Sequence, residues 1–383
     1  MKLNRPLCVL CWMLLTPLAL ALISLSFSRS ANGAESVAEK LPDGLQVTSM
    51  TVQPAAIELK NRFEYRQLLI TGKLDSGEQV DLTRIATLAQ PAKLVAITEH
   101  RRVGAVANGD ETLTFTFGGH TVTVPVKVTG VETQLPVSFV QDVQPALSKM
   151  SCNAGTCHGA KDGKAGFKLS LRGYDPIYDH RALTDDIGGR RFNRVAPDQS
   201  LMLLKATGSI PHVGGVRTTT DSPYYELLRQ WIAAGVKLDL AAPRVTSISI
   251  QPQDPIVPRV GMKQQITVSA TYSDGTVRDV TREAFIESGN IEVIAADNEG
   301  IVTMLRRGEA PVLVRYEGAY AATTIIVMGD RSGFEWKEPP TQNYIDQHVY
   351  RKLQRVKILP SELCTDAEFI RRVYLDLTGL PPS

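Results

Sequence analysis

The chain has 383 residues, too many for one ordinary domain, and two to four domains are expected. Hydrophobic residues make up 43% and charged residues 21%, so most of the chain can build packed cores. The net charge is only +2, which gives no electrostatic footprint for nucleic acid. Aromatic residues are scarce and Gly and Pro frequent, which favours β-sandwich modules with many turns.

At the N-terminus, Lys2 and Arg5 precede an apolar run from Leu7 to Phe27, and small residues follow from Ser28 to Ala34. Residues 1–34 read as a secretory signal peptide cut after Gly33 or Ala34. Pro17 and the small residues favour cleavage, although the apolar run is long enough for an uncleaved membrane anchor. The expected location is the periplasm or cell envelope. Losing Lys2, Arg5 and Arg29 takes the net charge to −1. The mature part keeps three cysteines, Cys152, Cys157 and Cys364, which is no disulfide framework.

An internal repeat comes next. The stretch from Val47 to Pro54, VTSMTVQP, matches VTSISIQP from Val245 to Pro252. The same offset aligns Leu74-Asp75-Ser76-Gly77 with Tyr272-Ser273-Asp274-Gly275. Asp81-Leu82-Thr83 likewise matches Asp279-Val280-Thr281. Apolar and polar residues alternate through both copies, the period of a half-buried strand. Ser-Gly and Asp-Gly sit where a hairpin must turn. Each copy, 42–130 and 244–329, spans about 85 to 90 residues, the size of a small Greek-key sandwich. On these residues both copies resemble bacterial Ig-like domains of group 2, which implies spacer or adhesive modules.

Between the copies, residues 135–240 change period. Phe139, Val143 and Leu147 fall four apart, as on one helix face. Ser222 and Pro223 start a second helix whose face is Tyr225, Leu228 and Ile232, with Trp231 beside them and Gly235 closing it. This insert holds Cys152-Asn153-Ala154-Gly155-Thr156-Cys157-His158. Two cysteines followed directly by histidine are the chemistry of c-type haem attachment. The thiols form thioethers and His158 becomes the proximal iron ligand. Two residues usually separate the cysteines; four here demand a bulge, which Gly155 eases. Two other readings stay open: a plain Cys152–Cys157 disulfide, and a zinc site, which lacks a fourth ligand.

After the second copy, 336–383 reads as a polar linker and the start of a helical domain. Tyr344, Ile345, Val349 and Leu353 form an apolar stripe. Thr365 and Glu368 form a capping box ahead of Phe369, Ile370, Val373 and Leu377. The stretch CNAGTCHGAKDGKAGFKLSLRGYD and the tail FIRRVYLDLTGLPPS resemble large planctomycete-type surface proteins. In these, Ig-like repeats join a cytochrome-c-like module and C-terminal domains of unknown function. The expected fold class is therefore two all-β Ig-like sandwiches flanking an all-α cytochrome-c-like domain, with a helical C-terminal fragment.

For the second face of the iron, His212 on a Pro- and Gly-flanked loop is the first candidate and Met202 the alternative, with His180 and Met150 behind them. An open site there would allow oxidase or peroxidase chemistry. Arg190, Arg191, Arg194 and Trp231 are candidates for haem propionate contacts, against a bland reading as solvated face or helix packing. The leading functional expectation is an exported haem c protein for electron transfer or redox sensing, working with a redox partner protein. The alternative is an adhesion or scaffold protein with a disulfide-stapled insert, whose Ig-like domains meet an envelope or surface polymer.

Overall fold

The structure is a computed structural model and describes residues 39–383 apart from 134, 135 and 332. The expected signal peptide lies outside the described residues. The alternation in the first copy folds into ten strands: β1 Val47–Gln53, β2 Ile57–Leu59, β3 Tyr65–Gln67, β4 Leu69–Leu74, β5 Gln79–Asp81, β6 Thr87–Leu88, β7 Val95–Ile97, β8 Arg102–Ala105, β9 Gly109–Phe117 and β10 His120–Val128. They build sheets ordered β1-β4-β5, β2-β10-β9-β6 and β3-β8-β7. Leu113, Phe115, Val124 and Val126 alternate into the core, while Thr112 and Thr123 point to solvent. The expected turn at Ser76-Gly77 closes the β4–β5 hairpin, with Gly77 at φ 85°.

The insert starts with a wide π-type turn, Phe139–Val143, that runs into α1 Gln144–Lys149. Helices α2 Pro176–Thr184, α3 Leu201–Ala206 and α4 Pro223–Ala233 follow. Ser222 caps α4 by accepting from the Tyr224 N–H, and Tyr225, Leu228, Trp231 and Ile232 are buried on its inner face, as the spacing predicts. The second copy then repeats the first strand for strand: β11 Val245–Gln251, β12 Ile256–Val257, β13 Lys263–Gln265, β14 Thr267–Tyr272, β15 Val277–Asp279, β16 Phe285–Ser288, β17 Ile294–Ala296, β18 Ile301–Met304, β19 Gly308–Tyr316 and β20 Ala319–Val327. The sheet orders are the same, and so is the register shift near the start of the first strand, at Val47/Ser49 and at Val245/Ser247. Two capped helices end the chain, α5 Tyr344–Arg355 and α6 Asp366–Thr378, and both capping boxes are formed. Among the described residues no helix is long and apolar enough to cross a membrane.

The two sandwiches dock by a reciprocal exchange. Asp81 closes its own turn by accepting the Thr83 N–H on Oδ1 at 2.7 Å. Its Oδ2 accepts the backbone N–H of Gln265, in the other sandwich, at 2.5 Å. Asp279 does the same in reverse, with Thr281 at 3.0 Å and Gln67 at 2.6 Å. The two glutamines match as well. The Gln67 amide donates to the carbonyls of Leu68 and His100, and the Gln265 amide to those of Ile266 and Glu299. Each contact has its counterpart in the other repeat, so the interface has a pseudo-two-fold axis, the logic of a symmetric dimer inside one chain.

The insert leans on this pair. Lys149 donates to the carbonyls of Ala284 at 2.8 Å and Asn298 at 3.2 Å, and its ammonium lies 5.6 Å from the centre of the Phe285 ring. Asp142 pairs with Arg278 at 3.0 Å. Burial is the main force on Lys149 and lowers its pKa to about 8, against the pull of Glu283 and with the repulsion of Arg102.

The expected fold class needs correction: the middle segment is not an all-α cytochrome-c-like domain. Helices α1 and α3 have six residues each, and α4, the longest, has eleven. Helices of such length are marginal on their own. Glycines such as Gly155, Gly163, Gly166, Gly188 and Gly189, together with Pro197 and Pro211, turn the rest into loops. The helices are held by an apolar cluster around Phe139, Leu147 and Trp231 and by docking to the sandwiches. Residues 39–383 cluster as one compact unit that is mostly β-sandwich.

Two outcomes are expected. Asp279→Ala leaves the Gln67 and Thr281 N–H groups without their acceptor, which costs about 1–3 kcal/mol for each group left buried; urea unfolding reads the loss, and an unchanged midpoint would show that the exchange adds nothing. For Lys149, the unfolded chain holds its proton to about pH 10.5 while the folded chain releases it near pH 8. The unfolded state binds more protons in that window, so stability rises from about pH 8 to about pH 10. Above that, the buried Tyr65 and Tyr224 hydroxyls, held above their usual 10, reverse the slope. Lys149→Met should flatten the rise in a series of thermal melts.

Candidate functional site

The cysteine–histidine motif forms a nest of turns just after α1. Ser151 takes φ 64° and turns the chain, and the Cys152 N–H donates to the Leu147 carbonyl at 2.9 Å. The Cys157 N–H then donates to Ala154, and the His158 N–H reaches back to the Cys152 carbonyl at 3.0 Å. This last bond closes the loop from Cys152 to His158 at its base. Buried Asn153 ties the nest down. Its side chain donates to Ser148 Oγ, and its carbonyl accepts the Arg172 N–H. Gly159 is forced by space, because a Cβ there would stand 2.0 Å from the Asn153 carbonyl oxygen.

Cys152 and Cys157 are half-buried free thiols, and burial pushes the Cys152 thiol up to about 12. The His158 Nδ1–H donates to the Phe167 carbonyl at 3.1 Å, and the imidazole rests on the Phe167 ring at 4.6 Å. The Arg191 guanidinium lies over the same ring at 4.2 Å. Burial holds the His158 pKa below its usual value; the bond to Phe167 opposes this, and the neighbouring His212, Arg191 and Lys205 add to it. Below the nest, fully buried Asp179 accepts from the Ser170 N–H, from Ser170 Oγ at 2.7 Å and from the Gln144 amide at 3.1 Å. The sequence reading missed Asp179, since nothing local marks an acid that will be buried.

The other predicted residues are committed elsewhere. The His212 Nδ1–H donates to the Gly215 carbonyl within its own loop at 2.9 Å. Met202 packs against the insert's core, and Met150 is buried in it. His180 donates to the Val236 carbonyl and sets its ring edge-on to Phe139. Trp231 is fully buried and donates its indole N–H to the Lys237 carbonyl. Arg191 is buried on Phe167 and donates to the Asp186 carbonyl, while Arg190 and Arg194 are exposed. Among the described residues, no group of three or more His, Cys, Asp and Glu side chains is placed to hold a metal ion.

Residues 344–383, which hold α5 and α6, match the family PSCyt2, described as a protein of unknown function (DUF1549). A stretch of 90 residues, 22% of this chain, is 32% identical to Ice-binding protein 1 of Shewanella frigidimarina (strain NCIMB 400). The chain spans about a tenth of the length of that curated relative. Among solved structures, the S-layer protein SbsC overlaps loosely. Its domains 5-6 cover 75% of this chain and 100% of that chain at 10% identity and TM-score 0.29. Its domains 1-6 cover 75% and 29% at 9% identity and TM-score 0.21. Overlaps this loose carry no function across.

The expectation of a haem-binding electron carrier is therefore corrected, and the oxidase reading falls with it. Among the described residues no cluster of ligating side chains is placed to hold a metal ion, and the matched curated relative bears the name of an ice-binding protein. Of the groups expected around a haem, His212 is bonded within its own loop, Met202 and Trp231 pack in the core and Arg191 lies on Phe167, while Arg190 and Arg194 stay exposed.

Gly159→Ala should displace the Asn153 peptide and open the nest, with a cost of about 1–3 kcal/mol, in the usual range for overpacking. Amide exchange at His158 and Gly159 reads it directly, and protection unchanged from the parent would refute the account of the nest.

Proposed function

We propose that this chain is a scaffold segment of an exported surface protein, in which two Ig-like sandwiches form one stiff spacer and the insert is a stapled third part docked on them. The observation that carries the reading is the reciprocal exchange of Asp81 with Gln265 and of Asp279 with Gln67. Tandem sandwiches joined by linkers move freely by default. Here buried, charge-assisted bonds at two related points resist such motion. Export is supported by the Lys2 and Arg5 flank of the Leu7–Phe27 run. The stretch shared with an ice-binding protein supports a module used in binding rather than in redox work. An envelope polymer is the partner class.

The staple is a Cys152–Cys157 disulfide formed outside the cytosol by exchange with an external disulfide, which leaves as two thiols. It would close the loop that the His158-to-Cys152 bond already draws together. Cys364 keeps its thiol.

Two measurements test this. Small-angle scattering of the full exported chain should fit one rigid body, and Asp81→Ala with Asp279→Ala should raise the radius of gyration. A parent as loose as the variant defeats the spacer reading. Alkylation of the unfolded, unreduced exported protein should label one mature cysteine, Cys364; labelling of all three rejects the staple.

A further inference from the structure

The insert is the basic part of an otherwise acidic molecule. Residues 135–240 carry thirteen basic and ten acidic side chains. The first sandwich, 39–133, carries ten and eleven, and the second, 244–330, eight and eleven. The excess lies between Met150 and Thr218, where ten basic residues face six acids, one of them the buried Asp179. Lys161, Lys164, Lys168, Arg172, Arg190 and Arg194 are all exposed. Among the described residues, none of the six has an acidic side chain at ion-pair distance.

The fold brings these loops together. Arg191 stacked on Phe167 joins the 190–194 loop to the 164–168 loop, and His158 lies against the same ring. Lys205 donates to the Pro211 carbonyl and holds the His212 loop nearby. The Arg172 N–H fastens the neighbouring segment to Asn153. Apolar and aromatic side chains stand out among the cations: Tyr174 is 90% exposed and Val195 97%. Six uncompensated cations beside open rings suit a ligand that carries both repeated anions and sugar faces.

We propose that this loop face of the insert binds a carboxylated polysaccharide of the cell envelope. The forks of Arg190 and Arg194 take the carboxylates, the lysines supply long-range attraction, and Tyr174 and Tyr178 lie against sugar rings. The source of the polymer rests on the surface-scaffold reading; the binding itself does not. Exposed charges are screened by salt, so the affinity is strongly salt-dependent.

The probe is polygalacturonate immobilised on a sensor, with dextran and polyphosphate as controls, and the full exported chain in solution. The chain should bind polygalacturonate, ignore dextran, and lose at least tenfold in affinity between about 0.05 and about 0.5 M salt. Lys164→Glu, Arg190→Glu and Arg194→Glu combined should weaken binding about tenfold or more, since each removes an exposed cation and no core contact. Arg306→Glu, on the acidic second sandwich, should leave it unchanged. Soluble oligogalacturonate should compete with the parent chain, which tests the site without any substitution. No binding to polygalacturonate, equal binding to polyphosphate, or full affinity in the triple variant overturns the proposal. Scattering of the same samples stays that of one rigid body in every case where the scaffold reading holds, so the two failures are distinguishable.

Discussion

The structure depends on two carboxylates that each serve two backbones. Asp81 and Asp279 hold the Asp-x-Thr turn of their own repeat with one oxygen and an N–H of the other repeat with the second. The threonines complete the arrangement, because Thr83 Oγ1 accepts from Ile70 and Thr281 Oγ1 from Val268. The N–H groups of Gln67 and Gln265 belong to the short strands β3 and β13. An edge strand with open N–H groups invites pairing with another chain. Capping it with a carboxylate from the sister repeat removes that hazard and fastens the interface in the same step. A charge-assisted hydrogen bond contributes about 1.5–3 kcal/mol, and here it exists only when both sandwiches are folded and docked.

Symmetry accounts for the docking, and its breaking accounts for where the insert sits. Tyr65 corresponds to Lys263, and Glu283 to Ile85. The Tyr65 hydroxyl donates to Glu283 at 2.5 Å and accepts the Arg282 N–H at 2.9 Å, while Arg282 lies over the Tyr65 ring. The equivalent Arg84 turns instead to Glu39 and Asp81. The two sides of the pseudo-dimer thus bury different charged clusters, Arg84 with Asp81 and Glu39 on one and Arg282 with Glu283 and Tyr65 on the other. On that side Tyr224 of the insert donates to the Arg282 carbonyl, and Lys149 reaches the neighbouring carbonyl of Ala284. The insert docks where the repeats have diverged.

Much of this was legible in the sequence. The repeat, the alternating strands, the Ser-Gly hairpin and the caps at Ser222 and Thr365 are local signals, and each fixes local geometry. The docking was not legible, because Asp81-Leu82-Thr83 reads as a turn whether or not a second acceptor oxygen meets another domain. Asp179 was hidden for the same reason. The cysteine–histidine motif misled in the opposite direction. A seven-residue pattern names a chemistry, but a haem site also needs partners placed by the fold, and His212, Met202 and Trp231 are held by their own loops and by the core. The helical period at Phe139, Val143 and Leu147 correctly marked a buried face. It did not give helix length, which the glycines and prolines decide.

The placement of the insert between the repeats, rather than after them, has a mechanical consequence. A long connection between two domains normally lowers their effective concentration for each other, and the entropy of closing it grows slowly with its length. Here the described part of the connection is itself folded and bonded to both sandwiches. Asp142 and Lys149 bind the second sandwich, and Phe63 of the first packs against the insert's core. With the insert docked on both repeats, little chain entropy remains to oppose the Asp–Gln exchange. Neither part is then a passive spacer for the other: the insert's short helices need the sandwiches to stay formed, and the symmetric interface needs the insert to be selected over pairing between chains.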